Sequence, residues 1–395
     1  MVQIAGFFAA ALSILNVDYT SLLVALRTPP PTLHGLYQAF LPILPLGHAV
    51  QDPYEPLQED DPEDPTDSSG RMLLLQQNSV PRQTPRYLKA LTVLTILTWV
   101  FSVYLAIFPG GPPSPPAALH LDKTYNPTSS LDIVISMYDE PLPSLTSTLT
   151  LLLSLTNISP LSPRLFVYTK NYHADLEAIA HAIPASLPSP SITLVPNTGR
   201  EGHTYLHHIL SHWDTLGNHT LFLQAATHNP RELGPRIRDF FGPDTGMLPL
   251  GFAGYSCPCD ADVCSDRFWE DASGIVRETY LKATRRETCA SGERVLLSYK
   301  GQFVASAARI RGTDRALYEG LYGLFEDAGS WVHREPYLAG RTEEMSAPVF
   351  GFTMERMWAG LLQCGAEGVS TRCPSLLSGW RTGGDRGDCQ CFDHA

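Results

Sequence analysis

The side chains best suited to bind a ligand lie together in one short polar segment, 196–203, which reads PNTGREGH. Its two glycines let the backbone approach a ligand closely, and the helix predicted to follow offers free N–H groups to an anion. The guanidinium of Arg200 adds two parallel donors of the kind that phosphates and carboxylates accept. We interpret the segment as a candidate binding site, although a capped turn with an exposed Arg–Glu pair fits the same letters. The candidate binding residues are Asn197, Arg200, Glu201, His203 and Tyr205.

The predicted helix that follows carries four histidines, namely His203, His207, His208 and His212. They form two pairs with a spacing of four, which places each pair on one helix face, and two imidazoles one turn apart can bind a metal ion. The segment lacks the glutamate of an HExxH site, because it reads HTYLH. A metal-dependent hydrolase is therefore one functional hypothesis, and a polar helix face is the simpler interpretation.

Further polar side chains follow predicted strands or belong to a late helix. They either face a shared pocket or form ordinary exposed pairs, and the residue types alone do not distinguish the two. The carboxylates among them, which are candidates for acid–base chemistry, are Asp139, Glu140 and Glu355. The candidate substrate-binding residues are Gln224, His228, Gln302 and Arg356.

The C-terminal third carries two patterns that suggest metal or redox chemistry. Asp260-Ala-Asp262 pairs two carboxylates, which suit a divalent cation such as Mn²⁺ or Mg²⁺ bound to a diphosphate, unless the loop is simply solvated. All eight cysteines lie between Cys257 and Cys391, and an even number confined to one region favours disulfides in an oxidising compartment. A zinc site is the alternative, but the Cys-x-Cys spacing lacks the two-residue gap of a zinc knuckle.

From residue 130 onward, predicted strands alternate with predicted helices. Such alternation predicts an α/β fold, a mostly parallel sheet flanked by helices, with ligands bound beyond the carboxyl ends of the strands. The predicted strands cover 131–137, 164–169, 191–195 and 220–224, and the predicted helices cover 142–155, 174–183 and 201–213.

The N-terminal part has a different composition. Residues 1–87 are predicted to be a mostly disordered, cytosolic segment, because residues 27–87 are rich in Pro, Asp and Gln. The role of an apolar stretch at 4–17 is left open. The apolar run 88–108 has the length of a bilayer span and is followed by a Pro/Gly-rich stem, 109–129. Basic residues precede the run, which predicts a single-pass type II protein whose domain, 130–395, is lumenal in the Golgi or endoplasmic reticulum. Asn218 and Asn157 then become candidate glycosylation sites.

The charge distribution excludes one class of partner. The net charge of the 395 residues is −12, and eight acidic residues with no basic one lie between 51 and 67. Because nucleic-acid binders rely on a basic surface, we expect no nucleic-acid partner.

On these motifs the chain resembles a largely fungal family, domain of unknown function 3431, over residues 130–392. The order of elements in that family is similar to that of A-type nucleotide-sugar glycosyltransferases, which is an analogy between folds. The shared motifs are Tyr138-Asp139-Glu140, Asn197–Ile209, Phe222–Gln224, Gly301–Phe303 and Glu355–Trp358.

The family itself has no settled activity. The analogy between folds, together with the predicted anchor, suggests a membrane-anchored glycosyltransferase-like protein that transfers a sugar from a nucleotide-sugar to a glycan or protein acceptor. Glu355 is then the candidate base, with Asp139 and Glu140 as alternatives, because activation of an acceptor hydroxyl needs a carboxylate within hydrogen-bond reach. One departure counts against catalysis. Those enzymes usually present Asp-x-Asp after the central strand, where this chain reads QAATH from Gln224 to His228. A non-catalytic carbohydrate- or protein-binding module on the same anchor is therefore the alternative.

Overall fold

A computed structural model describes residues 86–107, 118–187, 189–365, 367–373 and 384–394. The chain divides into two compact units, Met1–Gly111 and Pro112–Ala395. The predicted disordered segment up to residue 85, the apolar stretch 4–17 and the first part of the predicted stem lie outside the described residues.

The first unit contributes one described helix, α1 (Arg86–Ile107), where the sequence predicted a membrane span over 88–108. Its side chains Thr95, Thr98 and Ser102 donate hydrogen bonds to carbonyl oxygens one turn earlier, at 2.8, 2.6 and 2.8 Å. Within the described ranges, no helix combines the length and the apolarity that crossing a bilayer requires. The predicted span is therefore not confirmed.

The second unit is built on a seven-stranded sheet of order β11–β5–β10–β4–β1–β2–β3. β3, β2, β1 and β4 run parallel to one another, whereas β10 runs antiparallel to both β4 and β5. The predicted mostly parallel α/β sheet is confirmed. The strands are β1 (Leu131–Met137), β2 (Arg164–Thr169), β3 (Ser191–Leu194), β4 (His219–Gln224), β5 (Thr245–Pro249), β6 (Ser256–Pro258), β7 (Cys264–Ser265), β8 (Glu270–Asp271), β9 (Arg294–Leu296), β10 (Phe303–Ser306) and β11 (Cys391–Phe392).

Helices cover both faces of this sheet. The strand β1 shows why, because its seven residues are all buried and alternate between two cores. Ile133 packs with side chains of α2, α3 and α5 on one face, and Val134 with side chains of α4 and α9 on the other. The helices are α2 (Leu142–Ser154), α3 (Leu176–Ala182), α4 (Arg200–Ser211), α5 (Pro230–Phe240), α6 (Ile275–Ala283), α7 (Ala307–Gly312), α8 (Arg315–Glu326), α9 (Val349–Leu361) and α10 (Glu367–Arg372).

The eight cysteines form four disulfides, and none of them is free. The predicted disulfides are confirmed, and the zinc alternative is wrong because no thiolate is left to bind the metal. The only group of three potential metal ligands among the described residues, Cys259, Cys289 and Glu293, contains one of these disulfides. The pairs are Cys257–Cys264, Cys259–Cys289, Cys364–Cys391 and Cys373–Cys389.

Candidate functional site

The carboxyl ends of β1, β2 and β4 meet at one edge of the sheet because these strands are parallel and adjacent. The antiparallel β10 adds to this edge from the opposite direction. Its first residue, Phe303, pairs with Phe222 near the end of β4, so the loop before β10 reaches the same edge. Since open α/β sheets bind ligands beyond the carboxyl ends of their strands, we call the side chains gathered here the crevice.

Gly301 lies at a closely packed point of the crevice. Its φ of 56° lies in the left-handed region. A Cβ at this position would lie 2.9 Å from Cγ of Glu201 and 3.1 Å from Nε2 of Gln224. Nε2 of Gln224 donates to the carbonyl of Lys300 at 2.6 Å, while its buried Oε1 has no partner in the described structure. Glycine is therefore required for three segments to converge on one point.

Glu201 has a perturbed carboxyl group. Burial raises its pKa, its own backbone N–H opposes that effect, and the carboxylate of Glu355 raises the pKa further. Arg200 and Lys170 act in the opposite direction, more weakly. Among the described residues no cation lies within ion-pair distance of Glu201. Carboxyl groups in this state are frequent at catalytic and binding sites.

Glu355, the predicted base, lies on α9 beside the same loop. Its Oε1 accepts a hydrogen bond from the backbone N–H of Lys300 at 2.6 Å, and its Oε2 lies 3.3 Å from the guanidinium of Arg356. Both oxygens are thus engaged, and the side chain is 16% exposed. Glu355 faces the crevice, but protein donors contact both of its carboxylate oxygens.

Arg356, a predicted substrate-binding residue, is buried behind Glu355. Its Nε donates to Asp266 at 2.9 Å, and its guanidinium lies between the rings of Trp269 and Tyr299, 5.3 and 5.1 Å from their centroids. These contacts fix Glu355 and the loop before β10. Two of the three guanidinium nitrogens, Nε and Nη1, donate to protein acceptors.

A series of hydrogen-bonded polar side chains lies where β2 ends and α4 begins. Nζ of Lys170 donates to the carbonyl of Thr198 and lies 3.4 Å from Nδ1 of His203. Nε2 of His203 bonds to the carboxylate of Glu326, which only accepts, so Nε2 carries the proton and Nδ1 is free to accept from Lys170. Burial lowers the pKa of Lys170 to about 7 and, with Lys170 as the second cause, that of His203 to about 4.

Tyr205 and His203 therefore differ from the predicted ligand-binding role. Tyr205 is fully buried among Phe222, Phe303 and Trp358, with ring centroids 4.9, 6.0 and 6.0 Å away. Its hydroxyl has no partner in the described structure, and burial, followed by Glu201 and Glu140, raises its pKa well above the usual value. Its ring supports the floor of the crevice.

Arg200 and Asn197 lie at the surface end of the predicted binding segment. Arg200 is exposed, and its guanidinium lies 4.6 Å from the ring centroid of Phe352. Within the described chain no carboxylate forms an ion pair with Arg200. Asn197 is half-buried. Arg200 thus presents an exposed cation at the N-terminus of α4. Its role in binding a ligand stays a prediction.

The remaining predicted crevice residues lie at its rim. Glu140 accepts from the backbone N–H of Tyr138 at 2.6 Å, and Asp139 is exposed. The amide of Gln302 is oriented to pair with the backbone of His228, donating to its oxygen at 2.8 Å and accepting from its nitrogen at 3.1 Å. Desolvation, followed by the nearby Lys300, lowers the pKa of His228. Gln302 therefore positions His228 rather than facing outward.

The two metal hypotheses do not fit the residues. Asp260 and Asp262 are exposed in the loop held by the Cys257–Cys264 disulfide, and in the described chain no third ligand joins them. His208 is buried, with Nδ1 bonded to the hydroxyl of Tyr168 at 2.9 Å, and it stacks on His212 rather than sharing a ligand position with it. Neither pattern assembles the three protein ligands that a divalent metal site needs.

The two candidate glycosylation sites have different surroundings. The side-chain nitrogen of Asn157 donates to the carbonyls of Ile237 and Phe241 at 2.6 and 3.2 Å, so in the fold it is occupied. Asn218 is exposed at the start of β4. Asn218 is the more exposed of the two, and its side-chain nitrogen lies 3.2 Å from Nδ1 of His219.

Glu326 was not identified from the sequence, because it lies 123 residues from its partner His203 and carries no local signal. Lys170 lies at a strand end that the sequence marked, 169–171, and Gly301 lies in the shared motif Gly301–Phe303. Neither of them was assigned a role in the site from the sequence.

Comparisons with known proteins add little. No protein-family model matches the chain, and no curated protein matches it, so the resemblance to the family described above stays a prediction. The chain is similar to a solved galactosyltransferase, LgtC in complex with donor and acceptor sugar analogues, at 16% identity and a TM-score of 0.29. That similarity covers 56% of this chain and 69% of the other. Because the TM-score is this low, the functional argument rests on the crevice itself.

Proposed function

We propose that this chain is a glycosyltransferase-like protein that binds a nucleotide-sugar in the crevice and transfers the sugar to a hydroxyl of a glycan or protein acceptor. One observation carries the proposal. The carboxyl of Glu201 has a raised pKa and no ion-pair partner among the described residues, and it lies against Gly301 and Gln224 at the edge where α/β sheets bind ligands. The sheet itself is consistent with an A-type glycosyltransferase fold.

The proposed reaction needs one base and one anion site. Glu201 accepts the proton of the acceptor hydroxyl, whose oxygen forms a bond to the anomeric carbon. The bond from that carbon to the diphosphate oxygen breaks, and the leaving diphosphate takes the electron pair. We assign the base to Glu201 rather than Glu355, because a raised pKa makes a carboxylate a stronger base and both oxygens of Glu355 are engaged. The exposed Arg200 suits the diphosphate.

No step of this proposal uses a divalent metal, because Asp260 and Asp262 do not fit one. The non-catalytic binding module is the second candidate. It is favoured by Gln224, Ala225 and Ala226, which stand where a catalytic acidic pair would follow β4.

We also propose that the domain works in an oxidising compartment such as the lumen of the Golgi or endoplasmic reticulum. Four disulfides support this location, because cytosolic thiols are kept reduced. Labelling that found most cysteines reduced in cells, together with no glycosidase-sensitive mass at Asn218, would contradict it.

Thermal unfolding of the full chain with UDP, GDP and their sugars, each with and without Mn²⁺, tests the binding step. A ligand at a hundred times its dissociation constant stabilises the fold by about 2.7 kcal/mol. Arg200→Ala should lose most of that stabilisation. The matched control is Arg267→Ala, which removes another exposed arginine whose guanidinium lies over a ring, that of Phe268, at 5.0 Å.

Stabilisation by the nucleotide-sugars that is lost in Arg200→Ala and kept in the control supports the proposal. Absence of stabilisation by every nucleotide, or equal loss in the two variants, would overturn it. Binding without transfer or hydrolysis would favour the binding module.

A further inference from the structure

A cavity of about 600 Å³ lies between α6 and α8, and none of the crevice residues discussed above lines it. The α8 wall is formed by Leu317, Gly320, Leu321 and Leu324. These positions are spaced three and four residues apart, so they share one face of the helix. A Cβ added at Gly320 would meet no heavy atom within 4 Å, so the cavity is open directly above this glycine. This wall is apolar.

The rim of the cavity carries charged side chains, although Ile275 of α6 also lines it. Glu278 and Lys282 of α6 form an ion pair at 2.6 Å, with their side chains 61% and 59% exposed. Arg285 and Asp314 form a second pair at 3.5 Å. Two cations and two anions leave this rim with no net charge. The rim thus offers donors and acceptors without favouring a charged ligand.

Trp331 closes one end of the cavity and is 45% exposed. The edge of its neighbour Tyr337 meets it at 89°, with the ring centroids 5.1 Å apart, which fixes the orientation of the indole. Trp331 also lines a second cavity of about 350 Å³, together with Tyr337, Glu335 and Arg341. The two cavities adjoin at the indole, and we call them together the Trp331 groove.

We propose that the Trp331 groove binds a neutral oligosaccharide. A pyranose ring has apolar C–H faces and a polar edge of hydroxyls, which matches a groove with one apolar wall and a rim of donors and acceptors. An exposed, oriented indole is a large rigid surface on which a sugar face can stack. Because Trp331 is shared by both cavities, successive sugar units lie on either side of it.

An amphipathic peptide helix is the rival occupant, since helices dock in grooves between two helices. It fits less well, because the α6 wall presents Glu278 and Lys282 where a docked helix requires apolar contacts. The inference goes beyond the proposed function. It requires neither a nucleotide-sugar nor transfer. The groove proposal can therefore fail while the crevice proposal stands, and the crevice proposal can fail while the groove proposal stands.

Isothermal titration of the full chain with linear oligomers of glucose, mannose and galactose tests the proposal. Gly320→Leu fills the groove from the middle of α8, and it should fold because the space is open and leucine favours a helix over glycine. Gly323→Leu is the matched control, because Gly323 lies on the same helix, also has open space, and does not line either cavity. Trp331→Ala removes the stacking surface.

We expect at least one oligomer to bind. Gly320→Leu and Trp331→Ala should each raise the dissociation constant by about tenfold or more, the scale of one aromatic anchor, and Gly323→Leu should leave it unchanged. No binding by any oligomer, or equal affinities in all four proteins, would overturn the proposal. Binding of an amphipathic helical peptide that Gly320→Leu abolishes, with no oligosaccharide bound, would assign the groove to a protein partner instead.

Discussion

Arg200 and Glu201 are neighbours at the start of α4, yet their side chains have opposite surroundings. Arg200 is exposed over Phe352, whereas Glu201 reaches inward to Gly301. The sequence identified both as ligand-binding residues from their types. It could not show that Glu201 packs against Gly301, because the two residues are a hundred positions apart in the chain. Nor could it show that His203 and Tyr205 lie in the interior. The spacing of residues along a helix does not distinguish a side chain that is buried beneath a site from one that binds the ligand.

Lys170 gives a prediction at this scale. Burial lowers its pKa from 10.5 to about 7, so between these values the unfolded chain binds a proton that the folded chain does not. The free energy of unfolding then rises with pH in this window, by at most about 1.4 kcal/mol per pH unit. Lys170→Met has no group that titrates at this position, so its free energy of unfolding should not show this rise with pH. Urea unfolding of both proteins at pH 7, 8 and 9 measures the difference.

The difference in stability between wild type and Lys170→Met should grow in favour of wild type as the pH increases. Lys123→Met, at an exposed lysine, is the control and should show no such trend over the same range. A constant difference across this range would mean that Lys170 is charged in the fold and that the hydrogen-bonded series to His203 and Glu326 is not as described.

At the scale of secondary-structure elements, the antiparallel strand β10 determines which residues line the crevice. The sequence predicted β1, β2 and β4 within one residue of their ends, because buried apolar runs bounded by polar segments are strong signals. It did not predict that β10 inserts between β4 and β5, since strand order depends on pairings between distant segments. That insertion brings Gly301 to Glu201, and Lys300 to Gln224 and Glu355.

Gly301→Ala tests this convergence. The substitution adds a Cβ at a φ of 56°, and that atom would lie 2.9 Å from Glu201. Gly292→Ala is the matched control, because its φ of 73° imposes similar backbone strain while its Cβ would meet nothing within 4 Å. The control should lose about 1–2 kcal/mol of unfolding free energy, the cost of a left-handed alanine, and Gly301→Ala should lose more. Equal losses in denaturant unfolding would show that the three segments are not in contact there.

At the scale of the molecule, the α/β domain and its disulfides were predictable and the N-terminal anchor was not confirmed. The domain was predictable because alternating strands and helices recur over a hundred residues, and the disulfides because eight cysteines lie in one region. Their pairing was not predictable, since Cys364 and Cys373 meet partners in the last seven residues only after β11 joins the sheet edge. The crevice and the Trp331 groove lie within this one crosslinked unit.

The most direct test of the central claim is the turnover of nucleotide-sugars by Glu201→Gln. Cleavage of labelled UDP- and GDP-sugars, to water or to added glycans, is compared among wild type, Glu201→Gln and Glu355→Gln, with donor affinity measured on the same samples. We expect Glu201→Gln to keep donor affinity and to lose turnover by about 10²–10⁴-fold, the scale of a general base. Glu355→Gln should lose less. Turnover by wild type that Glu201→Gln leaves intact would contradict the account.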